Sequence, residues 1–589
     1  MTAIERLLGA PVGSEADVPL DLIVTDDWTT PSLEAPLDRL GTRRSAVPIV
    51  LVHDHTRDAA SYAGAERERV ERLTAQRDAF VRRYGAQLVE GRGIQHHVLP
   101  TLGLLKPGMR LLGNDSHTPT LGAYGVAAFA GQPATIAAAI HHGRLTVTVP
   151  ETLRVVLHGH LPADATARDA ALTLAALLAD EDGVPRRAVG RALEFCGPGV
   201  AGLSLSERAV LANLAPEVVA ATALFPVDVR TSAALGLVEG QAALSNGVPS
   251  SADYEVVLDL AGVRPSVARG PSPTDVIAVA ALERTRVDRI CVGTCAGGGY
   301  EEIVAFAAAL RGPVVVPTQL TPASDVVARR LAAAGTLERL TAAGVEITPP
   351  GCGACFGFGV ARLEAGQVAL STGNRNARGR LGSRDATVHL VSGRSAGLAA
   401  CSGVIGGTGP AAPLRPASAP TVRWPTEGNV VRLRGTVTTD DLIPSSLPGI
   451  GTSNDSDPAV LRRLLLHHVD ASAADRDLRG AVLVADDAFG AGSNRASSVR
   501  ALQAAGIRLV VARSVAPLYA MGARDEGFPV LTCSDDRFYR MLDDAAAGAD
   551  STITIDGAGK VVRVARGSEV RSFRTSTGTP ASSASGPRN

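Results

Sequence analysis

Twice in this chain a short apolar strand pattern runs straight into a loop of glycine and cysteine. Arg289-Ile290-Cys291-Val292-Gly293 leads to Thr294-Cys295-Ala296-Gly297-Gly298, and Val345 to Thr348 leads to Pro349-Pro350-Gly351-Cys352-Gly353-Ala354-Cys355-Phe356-Gly357. Between them the pattern predicts a helix over Glu301 to Leu310, a strand over Val314 to Pro317 and a helix over Asp325 to Ala343. Such alternation requires a parallel sheet, which presents its strand-end loops along one edge. Cys295, Cys352 and Cys355 are thereby placed at equivalent turns. Thiolates in glycine-rich loops suit an iron-sulfur cluster or a soft metal, because glycine lets the backbone crowd close. A four-iron cluster on three thiolates keeps one iron free, the open position that metal-ion catalysis needs.

The Cys352-x-x-Cys355 spacing alone also occurs in zinc and redox sites. A zinc ribbon needs a second such pair, which the chain lacks, and a thioredoxin-type site opens a helix. Cys196, Cys291, Cys401 and Cys533 stand in apolar or isolated settings and read as small buried hydrophobes.

Other polar clusters also follow strand patterns. Apolar runs at Leu20 to Thr25 and Pro48 to Val52 precede Asp26-Asp27-Trp28-Thr29 and His53-Asp54-His55, and an amphipathic helix is predicted over Ala60 to Tyr84. Gly93-Ile94-Gln95-His96-His97 follows. A strand then enters Gly113-Asn114-Asp115-Ser116-His117-Thr118, and an alanine-rich helix is expected through Ile140. His55, His96 and His117 are alternative candidates for the ligands of a mononuclear metal hydrolase. Thr152 to His158 and Thr166 to Leu178 continue the α/β alternation. The segment Ser371-Thr372-Gly373-Asn374-Arg375-Asn376-Ala377-Arg378-Gly379-Arg380 packs three guanidinium groups into one loop, a match for carboxylates. Phe489-Gly490-Ala491-Gly492-Ser493-Asn494-Arg495 is a glycine-rich turn before a helix expected over Val499 to Ala505, where backbone donors suit an anion.

At 589 residues the chain exceeds one compact core. Its 58 basic and 59 acidic residues give a net charge of -1, and only 3% of residues are aromatic, which argues against nucleic-acid or anionic-membrane partners. Seven cysteines, several of them in motif-like loops, fit a reducing compartment, read as the cytoplasm. No signal or membrane-anchor pattern is visible between Met1 and Val18. Residues 1–405 form the body; a Pro/Gly-rich linker is placed at 406–429, a second unit at 430–573 and a disordered tail at 574–589.

In this order the motifs resemble the aconitase and 3-isopropylmalate dehydratase superfamily. Gly113-Asn114-Asp115-Ser116-His117-Thr118, the two cysteine loops, Asn374-Arg375-Asn376 with Arg380, Val437-Thr438-Thr439-Asp440 and Gly492-Ser493-Asn494-Arg495 carry the resemblance. It implies an α/β fold: a three-domain body with parallel and mixed sheets, resembling the family's large subunit, fused to a C-terminal swivelling α/β domain like its small subunit. It also implies a 4Fe-4S cluster on Cys295, Cys352 and Cys355 and dehydration of a hydroxy-carboxylic acid; the chain is expected to be a monomer. By the same match Ser493 is the base and His55, held by Asp54, protonates the leaving hydroxyl. His96, Asp115, His117 and Glu194 surround them. Arg375, Arg380 and Arg495 clamp carboxylates, with Ser116, Asn374 and Asp440 beside the substrate. A cluster-free RNA-binding role, known for some relatives, is a further alternative that the near-neutral charge disfavours.

The chain departs from the family pattern at its rim. Ser493-Asn494-Arg495-Ala496-Ser497 stands for Ser-Ser-Arg-Glu-His, and no arginine occurs from Gly435 to Leu461, where relatives carry a carboxylate clamp. Asp26 stands where aconitases have glutamine and is expected to repel a substrate carboxylate.

Overall fold

The computed structural model describes residues 1–180, 185–237, 254–357, 362–407, 422–423, 430–443, 458–467, 469, 477–492, 496–526, 528–545, 551–555, 561–566, 569–574 and 576–577. The predicted linker lies mainly outside them, as do Ser493, Asn494, Arg495 and nearly all of the tail.

A first sheet pairs Gln87–Val89, Ile49–Val52, Leu22–Asp26, Arg110–Gly113 and Ala127–Ala130 in that order, all parallel. Every residue of Leu22–Asp26 and Ile49–Val52 is buried, as expected for strands covered on both faces. One covering element is the helix Gly64–Tyr84, which buries Val70, Leu73, Phe80 and Tyr84 and ends at Gly85 in the left-handed conformation (φ 70°). A second parallel sheet joins Thr222–Leu224, Ala192–Cys196, Thr152–His158 and Tyr254–Asp259. One apolar core runs between these two sheets, from Val24 and Leu111 to Leu153 and Phe195.

The third sheet has the order Val276–Ala278, Ser266–Ala268, Thr387–Val391, Val368–Ser371, Arg289–Gly293, Thr318–Thr321, Glu346–Ile347; its last five strands are parallel. Beyond residue 430, a parallel set of Val430–Leu433, Val482–Ala485, Leu509–Ala512 and Val530–Thr532 carries an antiparallel strand on either edge. No helix among the described residues is long and apolar enough to cross a membrane.

Three sequence expectations shift. The strand predicted at Val314 to Pro317 begins instead at Thr318, because proline has no N–H for the ladder; Pro317 contributes only its carbonyl, to Ile290 N. The helix expected over Asp325 to Ala343 is two helices, Asp325–Ala333 and Thr336–Ala342, broken at Gly335 (φ 64°). The alanine-rich helix ending near Ile140 is confined to Pro133–His142; a 3-10 turn, Thr118–Tyr124, and the strand Ala127–Ala130 precede it. Gly125 ends that turn and Pro133 starts the helix, punctuation that alanine content does not reveal.

Candidate active site

The first and third sheets turn the carboxyl ends of their parallel strands toward each other, and backbone contacts lock the facing loops. Ile94 N donates to Ala323 O at 2.8 Å, Asp325 N to Arg92 O at 2.8 Å, and Cys352 N to Asp54 O at 3.0 Å. Gly93 sits at this seam, bridged to Ser324; a Cβ there would collide with the Ala323 carbonyl.

On the first-sheet side, Asp27 organises the histidine loop. Its Oδ1 accepts Asp54 N and His55 N, each at 2.9 Å, and its Oδ2 accepts Thr56 N at 3.0 Å and Thr56 Oγ1 at 2.6 Å. His55 Nδ1 then lies 2.8 Å from Asp54 Oδ1, and His55 Nε2 lies 3.5 Å from Asp115 Oδ2. Asp54 Oδ2 in turn accepts Gln95 N at 2.9 Å. Burial alone would lower the His55 pKa, but the carboxylates of Asp26, Asp54 and Asp115 carry it well above the usual imidazole range.

Asp115 is the shared partner of the remaining histidines. His96 Nε2 lies 3.3 Å and His117 Nδ1 3.6 Å from its Oδ1, which also accepts His117 N at 2.6 Å. Burial would raise the Asp115 pKa, but these histidines hold it well below the carboxylate range. His96 Nδ1 is buried without a hydrogen-bond partner among the described residues. The three histidines do not converge as a metal-ligand set. Among the described residues, the groups of three with ligand atoms within 4.8 Å of one another are Asp54, His55 and Cys352, and Asp26, Asp27 and His55.

Cys295 follows Arg289–Gly293 at a strained turn, with Thr294 at φ 69°, a conformation a β-branched residue rarely adopts. Cys352 and Cys355 follow Glu346–Ile347 in a short 3-10 turn, Gly353–Phe356. All three are free thiols. Burial pushes Cys295 well up, with Cys355 and Asp115 adding to it; burial does the same for Cys352, reinforced by Asp54, Cys355, Asp115 and Cys295. Donors point at the sulfurs: Asn374 Nδ2 lies 3.5 Å from Cys295 Sγ, and Arg380 Nη2 lies 3.8 Å from Cys355 Sγ. Three mutually interacting thiols, Cys295 buried and Cys352 and Cys355 half-buried, with an amide and a guanidinium directed at them fit a soft metal group held as thiolates.

The arginine loop follows Val368–Ser371. Arg375 Nη2 donates to Ser116 Oγ at 2.9 Å and its Nε lies 3.0 Å from Glu217 Oε1; Arg380 Nε donates to Cys355 O at 2.7 Å and its Nη1 lies 4.0 Å from Asp440 Oδ2. Behind the loop, fully buried Arg168 donates to Asn374 Oδ1 at 3.2 Å and to Gly373 O.

Glu194 is a correction. Its carboxylate accepts Ala3 N at 3.1 Å and Ile4 N at 2.8 Å and takes Thr152 Oγ1 at 3.3 Å, so it caps the first helix of the chain rather than joining the histidines. The glutamate that does join them is Glu217, with Oε1 2.8 Å from His117 Nε2, and Asn213 bonds Asn374. Sequence reading missed both; the signal was two polar residues four apart in the otherwise apolar Leu211-Ala212-Asn213-Leu214-Ala215-Pro216-Glu217. Asp26 also differs from expectation. Its carboxylate accepts Trp28 N at 2.8 Å, Thr29 N at 2.7 Å and Thr29 Oγ1 at 2.6 Å, so it closes a turn instead of facing a substrate, and burial pushes its pKa up to about 7.

An α/β protein with carboxylate-paired histidines, arginines and three thiols that fit a soft metal group at facing strand ends defines a class of buried acid/base sites. The chain matches the aconitase family (aconitate hydratase) over residues 30–403 and belongs to that family. It is 33% identical to a 3-isopropylmalate dehydratase large subunit of Methanopyrus kandleri, over 69% of this chain and 98% of that one. It is 34% identical to a homoaconitase large subunit of Thermus thermophilus, over 69% and 96%, and 32% identical to a 3-isopropylmalate dehydratase large subunit of Pyrococcus furiosus, over 69% and 98%.

Proposed function

We propose that the protein is a monomeric cytoplasmic hydro-lyase that dehydrates and rehydrates a 2-hydroxy di- or tricarboxylic acid at a 4Fe-4S cluster held by Cys295, Cys352 and Cys355. The observation that carries this reading is the convergence of those thiols with the histidine–carboxylate pairs and with Arg375 and Arg380. When bound, the cluster supplies a Lewis acid for the substrate hydroxyl and carboxylate.

The chain's own residues do the rest. His55 keeps its proton because carboxylates surround it, and it delivers that proton to the departing hydroxyl oxygen. Asp54 fixes the ring through Nδ1. His96 and His117, tied to Asp115, supply further hydrogen bonds to the reacting end. Arg375 and Arg380 bind carboxylate and stabilise the charge that builds on it when the adjacent proton is removed. Ser116 and Asn374 hold those groups in place, and Asp440 approaches from the C-terminal unit. Ser493 removes the proton and Arg495 binds a second carboxylate; both follow Gly492, which lines the cleft between the two units. Residues 430–573 act as the swivelling, small-subunit-like domain that brings them in. Names of relatives among dehydratases and homoaconitases support the same reaction class.

Anaerobic purification followed by iron and labile-sulfide analysis, then a screen of malate derivatives, citrate and isocitrate for the ultraviolet absorbance of an unsaturated acid, tests the proposal. Cluster-loaded protein producing such an acid supports it. A loaded preparation that dehydrates none of them overturns it.

A further inference from the structure

A cleft of about 1170 Å³ separates the body from the C-terminal unit; Arg375, Arg378 and Arg384 line it from one side, and Thr438, Asp440 and Asp441 from the other. Most arginines on this cleft are neutralised: Arg186 by Asp487, Arg432 by Asp486 and Asp543, Arg513 by Asp487 and Asp536. Arg375 is engaged by Glu217 and Ser116.

Arg378 and Arg384 differ: among the described residues neither forms an ion pair, and the exposed Arg540 also lacks one. Among the described residues the one hydrogen bond of Arg384 runs from Nη1 to His467 O at 3.2 Å, and its buried Nε has no partner. Arg378 is exposed on the same wall. Asp385 and Asp441 are within electrostatic reach of Arg384 but form no ion pair with it; Asp441 Oδ2 accepts Thr438 N at 2.8 Å and Thr438 Oγ1 at 2.7 Å. Burial, and after it the charge of Arg378, pushes the Arg384 pKa down. Two like charges facing one cleft without a directly paired carboxylate among the described residues repel, and an anion placed between them relieves both. The sequence supplies the complement: no arginine occurs from Gly435 to Leu461 on the opposite unit.

We propose that Arg378 and Arg384 form a subsite for a further substrate carboxylate, one not attached to the reacting carbons, so that the preferred substrate is a tricarboxylic acid rather than a dicarboxylic acid with an apolar arm. This rests on the reading of the site as a hydroxy-acid hydro-lyase. Arg375 and Arg380 hold the reacting end, and the third carboxylate extends along the cleft wall toward Arg384, whose unpartnered Nε gains an acceptor.

Calorimetric titration of the cluster-loaded enzyme with two unreactive probes, propane-1,2,3-tricarboxylate and 2-isopropylsuccinate, tests the subsite. The wild type is expected to prefer the tricarboxylate. The pair Arg378→Gln and Arg384→Gln is expected to weaken tricarboxylate binding about tenfold or more, the scale of a lost charged hydrogen bond, and so collapse the preference. Arg384→Lys, which keeps the charge, restores part of it. Arg378→Gln alone, at an exposed position, gives a smaller shift of the same sign and covers the case in which the Arg384 variant does not fold. Equal weakening of both probes, no weakening of either, or no tricarboxylate preference in the wild type overturns the subsite. Arginine-dependent tricarboxylate binding in a protein that dehydrates nothing leaves the subsite standing and removes the hydro-lyase reading. Dehydration of citrate-type acids with a KM indifferent to both arginines does the reverse.

Discussion

Glu217 and His117 meet at 2.8 Å, Oε1 to Nε2, although 100 residues of chain separate them. The same carboxylate oxygen lies 3.0 Å from Arg375 Nε, so one buried acid orients both a histidine and an arginine of the site. Burial would raise the Glu217 pKa, but Arg375 and then His117 bring it below the usual glutamate range, keeping it ionised.

Glu217→Gln keeps the shape and removes that charge. Dehydration is expected to fall by about 100-fold or more in kcat/KM, the scale of a lost acid/base or electrostatic partner. Steady-state assays on wild type and variant matched for iron content measure it. A change under threefold would show that Glu217 is only packing.

Asp27→Ala removes the acceptor for three backbone N–H groups and the Thr56 hydroxyl, all buried around His55. Orphaning such donors costs about 1–3 kcal/mol for each group left unsatisfied. The variant is expected to unfold at lower denaturant and to lose activity through displacement of His55. Asp27→Asn recovers only part of both, since its amide presents one acceptor oxygen where the carboxylate presents two.

Asp169 is fully buried and accepts Thr166 N and Ser266 N, each at 2.9 Å; burial, opposed by those bonds and reinforced by Glu302, pushes its pKa up to about 7. An unfolded aspartate titrates near 4, so between about pH 4 and 7 the folded state binds the extra proton. Its contribution is full below about pH 4 and is lost as pH rises through 7, a change on the order of 4 kcal/mol. The wild-type stability advantage over Asp169→Asn, followed by urea midpoints from pH 5 to 8, is expected to shrink with rising pH. A flat difference overturns this.

Gly297 lies two residues beyond Cys295, where an added Cβ would run into the Thr372 side chain and its carbonyl. Gly297→Ala is expected to displace either the cysteine loop or the arginine loop that follows Thr372. Lower iron content per chain at unchanged expression is the readout, and Gly297→Ala with Thr372→Ser is expected not to restore it, because serine keeps the Oγ and Cβ that the new methyl group meets.

What the sequence reveals of this site follows the strand-end loops. His55, Asp115, His117, Cys295, Cys352, Cys355 and Arg375 all stand in glycine- or histidine-marked turns after apolar runs, so local pattern finds them. Glu217 and Asn213 leave no such mark, because Asn213 follows the apolar end of the helix Leu205–Ala212 and Glu217 lies in the 3-10 turn Ala215–Val218 among apolar residues. Glu194, beside Cys-Gly-Pro-Gly, carries the local mark yet caps a helix 190 residues away, a pairing that only the fold creates. Arg168 is a similar case: on the sequence it is one charge in an alanine-rich helix, but in the structure it holds Asn374 and Gly373 from within the core. Long-range partners of buried charges are set by tertiary contact, and local periodicity carries no trace of them.

The two walls of the cleft belong to one polypeptide, and direct contacts join them: Gln132 Nε2 donates to Leu518 O at 2.7 Å and Arg186 Nε to Asp487 Oδ2 at 2.8 Å. Where separate subunits would part on dilution, here the encounter is intramolecular, at an effective concentration on the order of millimolar for a short tether. On the proposed reading of a monomeric hydro-lyase, specific activity is therefore expected to be independent of enzyme concentration, and the stoichiometry of the two halves is fixed at synthesis.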